Sequence, residues 1–399
     1  MNRTLLQGVR VIELAGLAPV PHCGMVLADF GASVMLIEKP NDKDDAAMEQ
    51  RLAGRKTRQG LDLRSSEDRT KLRQLCRDSD VLLDPYRPGV LEKMGLDPVE
   101  LLEENKGLVV CRLTGYGQTG PLAQEAGHDI NYVAITGLLP TISGHSCHRP
   151  TPPVNLLADF AGGGLTAAFG IVAALLKREK NGGHGCIIDC SMSEGLSYLA
   201  SFVHRYHDIE HLWTQPYAAF SGDCPIYRQC AFVFHDWVDV QSSTRMAQLV
   251  EQWTAKTSVM ARLSTEIPAQ LKTSLTYETK DKKWVAVGAL EPKFNSTLFE
   301  ILGMEKNMAD MYADPAGLTA EMEQIFKGKT RDEWVALFEG GSTIGKNACV
   351  SPVLDLDEAV EYRHNLERRN FTRDGDKSFP QPAPRMYTKE EFRKLMSKL

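Results

Sequence analysis

Near the N-terminus, Val9-Arg-Val-Ile-Glu-Leu14 leads through the turn Gly16-Leu-Ala-Pro-Val-Pro21 into a helical stretch, His22 to Phe30, and then into Ser33-Val-Met-Leu-Ile37. Two short apolar strands joined by one helix have few ways to bury their faces. A crossover of this kind sets the strands side by side and parallel, with the helix packed on the sheet. The same apolar signature returns at Val81–Leu83, within Gly107–Leu113, and at Gly185–Cys190, which reads as the last strand of the first domain. The expected fold is therefore α/β, with a large Rossmann-like parallel-sheet domain. A chain of 399 residues exceeds what one such core needs, so a second, smaller α+β domain is expected.

Composition narrows the function classes. A net charge of −6 gives no general attraction to nucleic acid or anionic membranes. Nine scattered cysteines without a Cys-x-x-Cys pair fit reduced thiols inside a cell. The longest apolar run, Phe160–Leu176, is glycine-rich and short against the roughly 20 residues of a membrane span, so it reads as a buried helix. The tripeptide Ser397-Lys398-Leu399 has the form of the peroxisomal import address, which makes the import receptor an expected partner and the peroxisome the expected compartment, with mitochondrion and cytosol as alternatives.

Three motifs carry less than they suggest. Gly115-Tyr-Gly117-Gln-Thr-Gly120 fits Gly-x-Gly-x-x-Gly, but Pro121 and the polar residues after it do not read as the helix that would hold a pyrophosphate. His145-Ser-Cys-His148 is too tightly spaced for four-ligand zinc. His204, His207 and His211 share one helical face without a further ligand at a convincing spacing, and read as a solvated face of a linker helix. No metal is expected.

Gly127-His-Asp-Ile-Asn-Tyr132 and Asn155-Leu-Leu-Ala-Asp-Phe-Ala-Gly-Gly-Gly164 bring a histidine and a carboxylate, His128 and Asp159, each close to glycine. Asp159 stands directly before the apolar run, in the first turn or at the N-cap of its helix, where free N–H groups and the helix dipole favour a negative group. These two stretches resemble the catalytic core of the alpha-methylacyl-CoA racemase branch of the family III CoA-transferase superfamily. The resemblance extends from Leu6 to about Arg385. It implies an interlocked homodimer and no cofactor beyond the CoA of the substrate. It also implies a domain plan: a large CoA-binding domain over 1–195, a linker helix over 196–224, a small domain over 225–365, and a return segment over 366–399. One departure stands out, an atypical insertion at about 229–275, in which Met246, Leu249, Val250 and Trp253 have helical spacing.

By the same resemblance Lys39 and the strand Leu61-Asp62-Leu63-Arg64 lie at the nucleotide end of CoA, where cations suit its phosphates. Arg87, at the end of another strand, is a second phosphate contact. Gly127, Asp129, Ile130, Asn131, Tyr132 and Asn155 are further CoA-binding positions, and Glu291 supports His128, from the same copy or from the partner subunit. The implied reaction interconverts the 2R and 2S epimers of a 2-methylacyl-CoA, as in branched-chain fatty acid or bile-acid intermediate metabolism. Inversion at C2 needs a base on one face and an acid on the other, and His128 and Asp159 are two such groups. General acid–base catalysis contributes roughly 10²- to 10⁴-fold, so the enolate oxygen needs donors as well. Backbone N–H groups at the helix start near Asp159 are the expected ones. The alternatives are a CoA-transferase with Asp159 as nucleophile, and an acyl-CoA-binding homologue with impaired catalysis.

Overall fold

The computed structural model describes residues 5–40, 52–143, 149–150, 154–206, 274–339, 347–375 and 377–397. Two compact units divide the chain. The first comprises 1–136, 153–204 and 356–399, and the second 137–152 and 205–355. Relative to the boundaries expected from sequence, this division gives 137–152 to the second unit and starts the return at Leu356.

A seven-stranded sheet organises the first unit: β1 (Arg10–Leu14), β2 (Ser33–Glu38), β3 (Thr57–Gly60), β4 (Val81–Asp84), β5 (Val109–Thr114), β6 (Cys186–Ser191) and β7 (Arg385–Tyr387), in the order β7-β6-β5-β4-β1-β2-β3. All neighbours are parallel except β7, which runs antiparallel to β6, with Met386 opposite Ile188. Every residue of β4, β5 and β6 is buried, as expected of strands covered on both faces. The chain builds β2 and β3 on one side of β1 and then crosses to β4 on the other. The β1–β4 boundary is thus the topological switch point, beside which open α/β sheets bind ligands at the carboxyl ends of their strands.

Three sequence expectations shift. The first helix, α1, spans Pro19–Asp29, because a proline suits the first helical turn, where its missing N–H is not needed. The strand expected at 61–64 lies at 57–60. Parallel pairing with β2 ends at Gly60, and Asp62 folds the chain into a turn by accepting the Arg64 N–H. Nor is Cys186–Ser191 the last strand of its unit, since β7 arrives from the end of the chain.

Four more helices of this unit matter below: α2 (Asp129–Ala134), α3 (Thr166–Lys180), α4 (Met192–Leu199) and α5 (Arg363–Arg368). The segment Leu156–Leu165 is a π-helix that runs directly into α3. Val154 and Asn155 enter it in left-handed backbone conformation, at φ of 52° and 57°. The wider winding is visible at Thr166, whose backbone N–H and side-chain hydroxyl both donate to Ala161 O, five residues back.

Together the π-helix and α3 make a continuous helix of 25 residues, by length and composition enough to cross a membrane. Half of its most apolar stretch is buried, and the π-helix packs between α1 and α4. Gly162 and Gly195 permit that contact: a Cβ on Gly195 would lie 1.9 Å from Gly162 O. The helix is not buried throughout, however. Leu165, Phe169, Val172 and Leu176 form an exposed apolar stripe.

α4 ends at Leu199 and a further helix covers Ser201–Tyr206, so the helix expected to run on from Ser193 breaks at Ala200. His204 does not lie on a solvated face. It is 2 % exposed and packs against Phe371, with ring centroids 5.3 Å apart, a neighbour supplied by the returning chain. His207 and His211 fall outside the described residues, as do His145, Cys147, His148, most of the stretch 229–275, Lys398 and Leu399.

The second unit contains a three-stranded antiparallel sheet of Ser274–Glu278, Trp284–Gly288 and Val350–Val353. Helices Pro315–Phe326 and Arg331–Glu339 accompany it, and Tyr277 stacks on Phe326 at 4.9 Å.

Candidate active site

His128 ends a loop and precedes α2. Its backbone N–H donates to Asn131 Oδ1 at 3.0 Å, and its carbonyl accepts from Asn131 N and Tyr132 N, so the first turn of α2 fixes the backbone that carries the imidazole. The Tyr132 hydroxyl donates back to Gly127 O, and its ring meets Tyr116 edge-on at 5.0 Å. His128 is half-buried, whereas Asp129, Ile130, Asn131 and Tyr132 are buried.

Asp159 lies in the first turn of the π-helix, with Asn155 at the N-cap position, and is 7 % exposed. The link between the two stretches is Asp129. Its Oδ2 accepts the N–H of Ala158 at 2.7 Å and the N–H of Asp159 at 2.8 Å. Those are two of the helix-start donors expected to serve an enolate oxygen, so that expectation fails for them: a carboxylate of the chain already holds both. Burial pushes the Asp159 carboxyl up to about 7; the neighbouring Asp129 adds to the rise and His128 opposes it. Between a helix start that favours charge and an apolar surrounding that opposes it, burial thus prevails, and the carboxyl keeps its proton to a higher pH than usual. Asp129 is also raised, again first by burial, but its two backbone hydrogen bonds and His128 act in the opposite direction.

The residues expected around CoA phosphates gather at the carboxyl ends of β2, β3 and β4. Lys39 is exposed just beyond β2. Asp62 and Arg64 pair with each other, Nε donating to Oδ1 at 3.0 Å and to Oδ2 at 3.3 Å and Nη2 to Oδ2 at 2.8 Å. Arg64, followed by the charge of nearby Lys39, holds the Asp62 carboxyl well below its usual range. Leu61 is buried in the core, and Leu63 packs against the same cluster. Arg87 donates to Gln124 O at 2.9 Å. Asn155 is exposed. Glu291 precedes helix Pro292–Leu302 in the second unit. Among the described residues no group of three His, Cys, Asp or Glu side chains is arranged to hold a metal ion.

Sequence reasoning missed the framework around the loop 115–120. Arg368 of α5 is buried, pairs with Asp189 at 2.9 Å and with Glu194, and donates to Thr119 Oγ1 at 2.9 Å. Gly117, at φ of +83°, leaves room for that guanidinium. Arg385 also pairs with Glu194, at 2.8 Å. His364 accepts the Leu122 N–H at Nδ1 and donates from Nε2 to Tyr116 O; burial, then Arg368, lowers its pKa to about 3, so it is neutral. The glycines that imitate a dinucleotide fingerprint thus enclose an arginine of the chain itself. The only sequence signal was negative, the absence of a following helix.

Comparison with known proteins follows the same outline. The CoA-transferase family III profile matches residues 6–226 and 235–394, resuming inside the stretch expected to be atypical. A CaiB/baiF CoA-transferase family protein of Caenorhabditis elegans is 48 % identical over 98 % of this chain and 98 % of its own. The alpha-methylacyl-CoA racemase of Mus musculus is 39 % identical over 95 % of this chain and 86 % of its own. A succinyl-CoA–D-citramalate CoA-transferase of Chloroflexus aurantiacus is 33 % identical over 52 % of this chain and 54 % of its own. With a parallel sheet and a profile match along most of its length, the chain belongs to CoA-transferase family III.

Proposed function

We propose that this enzyme interconverts the two epimers of a 2-methylacyl-CoA thioester by moving the proton on C2 from one face to the other through an enolate. The observation that carries this reading is the Asp159 carboxyl, raised to about 7 in a buried setting with His128 acting on it. Near neutral pH such a carboxyl holds a proton about half of the time and releases it readily, as reversible acid–base work requires. In one direction deprotonated His128 takes the C2 proton and protonated Asp159 returns one to the opposite face. In the other direction the roles exchange. Lys39, Arg64 and Arg87 receive the CoA phosphates, and two copies of the chain form the working enzyme, with Glu291 of one copy or the other supporting the imidazole. The identity with a racemase along nearly the whole chain supports the same reading.

The second reading is CoA transfer, supported by similarity to a CoA-transferase over half the chain. There the Asp159 carboxylate attacks the thioester carbonyl, expels CoA thiolate and leaves a mixed anhydride. A carboxyl near 7 is ionised often enough to serve either route, so what weighs against transfer is the extent of the likeness, 95 % of the chain to a racemase against 52 % to this transferase.

Incubation in deuterated water separates the two. The purified enzyme is expected to place deuterium at C2 starting from either epimer, and His128→Ala and Asp159→Asn each to lower that exchange by at least roughly 10²-fold. Full two-way exchange in both variants would falsify the assignment. Trapping of an acyl-enzyme by hydroxylamine without C2 exchange would favour transfer instead.

A further inference from the structure

The geometry points to Asp129 as a positioning residue: a fully buried carboxylate that clamps the backbone of Ala158 and Asp159 and keeps the Asp159 side chain in its proton-carrying form. This rests on the racemase reading and adds to it a residue whose side chain works through Asp159 instead of touching the ligand.

Three observations carry it. Asp129 is 0 % exposed, so its side chain does not line an open cleft, although sequence resemblance placed it among the ligand contacts. Both of its described hydrogen bonds go to the π-helix, at 2.7 and 2.8 Å, and one of them is to the N–H of Asp159 itself. Asp129 acts on the Asp159 carboxyl as a like charge, and two such carboxyls do not ionise together easily. The one that accepts two backbone N–H groups keeps the charge, and the other keeps the proton. Elements packed against the π-helix carry other charged or titratable groups: His22, Cys23 and Asp29 on α1, Cys111 and Arg112 on β5, Cys186, Asp189 and Cys190 on β6, Glu194 and Tyr198 on α4, and the charged end of α3, Lys177 to Lys180. Among the described residues, the charges that act on Asp159 are Asp129, which raises it, and His128, which lowers it. Among the described residues Asp129 is thus the carboxylate that opposes ionisation of Asp159, on top of burial.

The clamp has a geometric consequence as well. A π-helix start has unpaired N–H groups that would turn toward any nearby acceptor, the Asp159 side chain included. With the N–H groups of Ala158 and Asp159 occupied, the Asp159 side chain is not drawn back onto its own helix end.

The test is Asp129→Asn, which retains an oxygen for both N–H groups and removes the charge. Carboxyl ¹³C NMR, with the Asp159 signal assigned by its loss in Asp159→Asn, reads the titration without substrate. In the native chain Asp159 is expected to titrate near 7, and in Asp129→Asn roughly half a unit or more lower, about threefold in proton affinity. The pH limb of C2 exchange that requires protonated Asp159 is expected to move with it. Asp129→Ala removes the clamp too, and is expected to lose at least about tenfold in kcat in both directions, partly restored in Asp129→Asn.

An Asp159 titration unchanged in folded Asp129→Asn overturns the inference. So does a rise in KM for the thioester without a shift of the pH limb, which would return Asp129 to ligand contact. Should Asp129→Asn not fold, native Asp159 ionising in the ordinary carboxylate range overturns it equally. Absence of C2 exchange in the native enzyme counts against the racemase reading alone, because the NMR titration does not depend on turnover.

Discussion

Asp159 illustrates how one buried side chain ties reactivity to stability. Its folded pKa of about 7 lies above the ordinary value of 3.8. The unfolded chain therefore releases this proton first as pH rises, and the folded state loses stability between about pH 4 and pH 7, with no further loss above. The full swing is on the order of 4 kcal/mol as an upper bound. Urea denaturation across this range is expected to show a decline in the native chain that is much reduced in Asp159→Asn. Glu194 has the opposite sign: Arg368 and Arg385 hold its pKa down despite burial, so its contribution is present at neutral pH and is lost as acid protonates it. The motifs that single out His128 and Asp159 as candidates were legible in the sequence. The grip of Asp129 on the π-helix was not, since a hydrogen bond between distant segments leaves no mark on local pattern.

At the scale of the element, the π-helix decides where Asp159 sits. Its existence as a helix was readable from the apolar run, but its winding was not: a segment of Leu, Ala and Gly carries too little polar contrast to distinguish one helical period from another. The partial exposure of the continuing helix was equally hidden, because an apolar run looks the same whether or not every face is covered. What holds the π-helix in place is its crossing with α4 at Gly162 and Gly195. Gly195→Ala would set a methyl 1.9 Å from Gly162 O, so the backbones must separate. The expected cost is roughly 2–3 kcal/mol, with a loss of C2 exchange as Asp159 moves. Gly54→Ala, where nothing lies within 4 Å of the added carbon, is the matched control and is expected to stay within about 0.5 kcal/mol. Thermal melts of both variants check the pair.

For the whole molecule, the alternation of strands and helices made the parallel sheet legible from the first forty residues onward. The closing strand β7 was not, because three residues, Arg385–Tyr387, are too few to show a period. The charges that join the returning chain to the sheet were also invisible: nothing local in the sequence marks Arg368 and Arg385 as partners of Asp189 and Glu194. Arg368→Met is expected to destabilise the fold by about 3–5 kcal/mol, since it leaves two buried carboxylates short of their partner. Chemical denaturation of the variant against the native chain measures it. The same arrangement governs the order in which a ribosome can deliver a finished unit. β6 emerges with an open edge and with acidic groups awaiting cations that are translated almost two hundred codons later. Throughout that interval the nascent sheet offers unpaired amides to any neighbouring strand, so a holding chaperone has most to do before the final forty residues leave the tunnel.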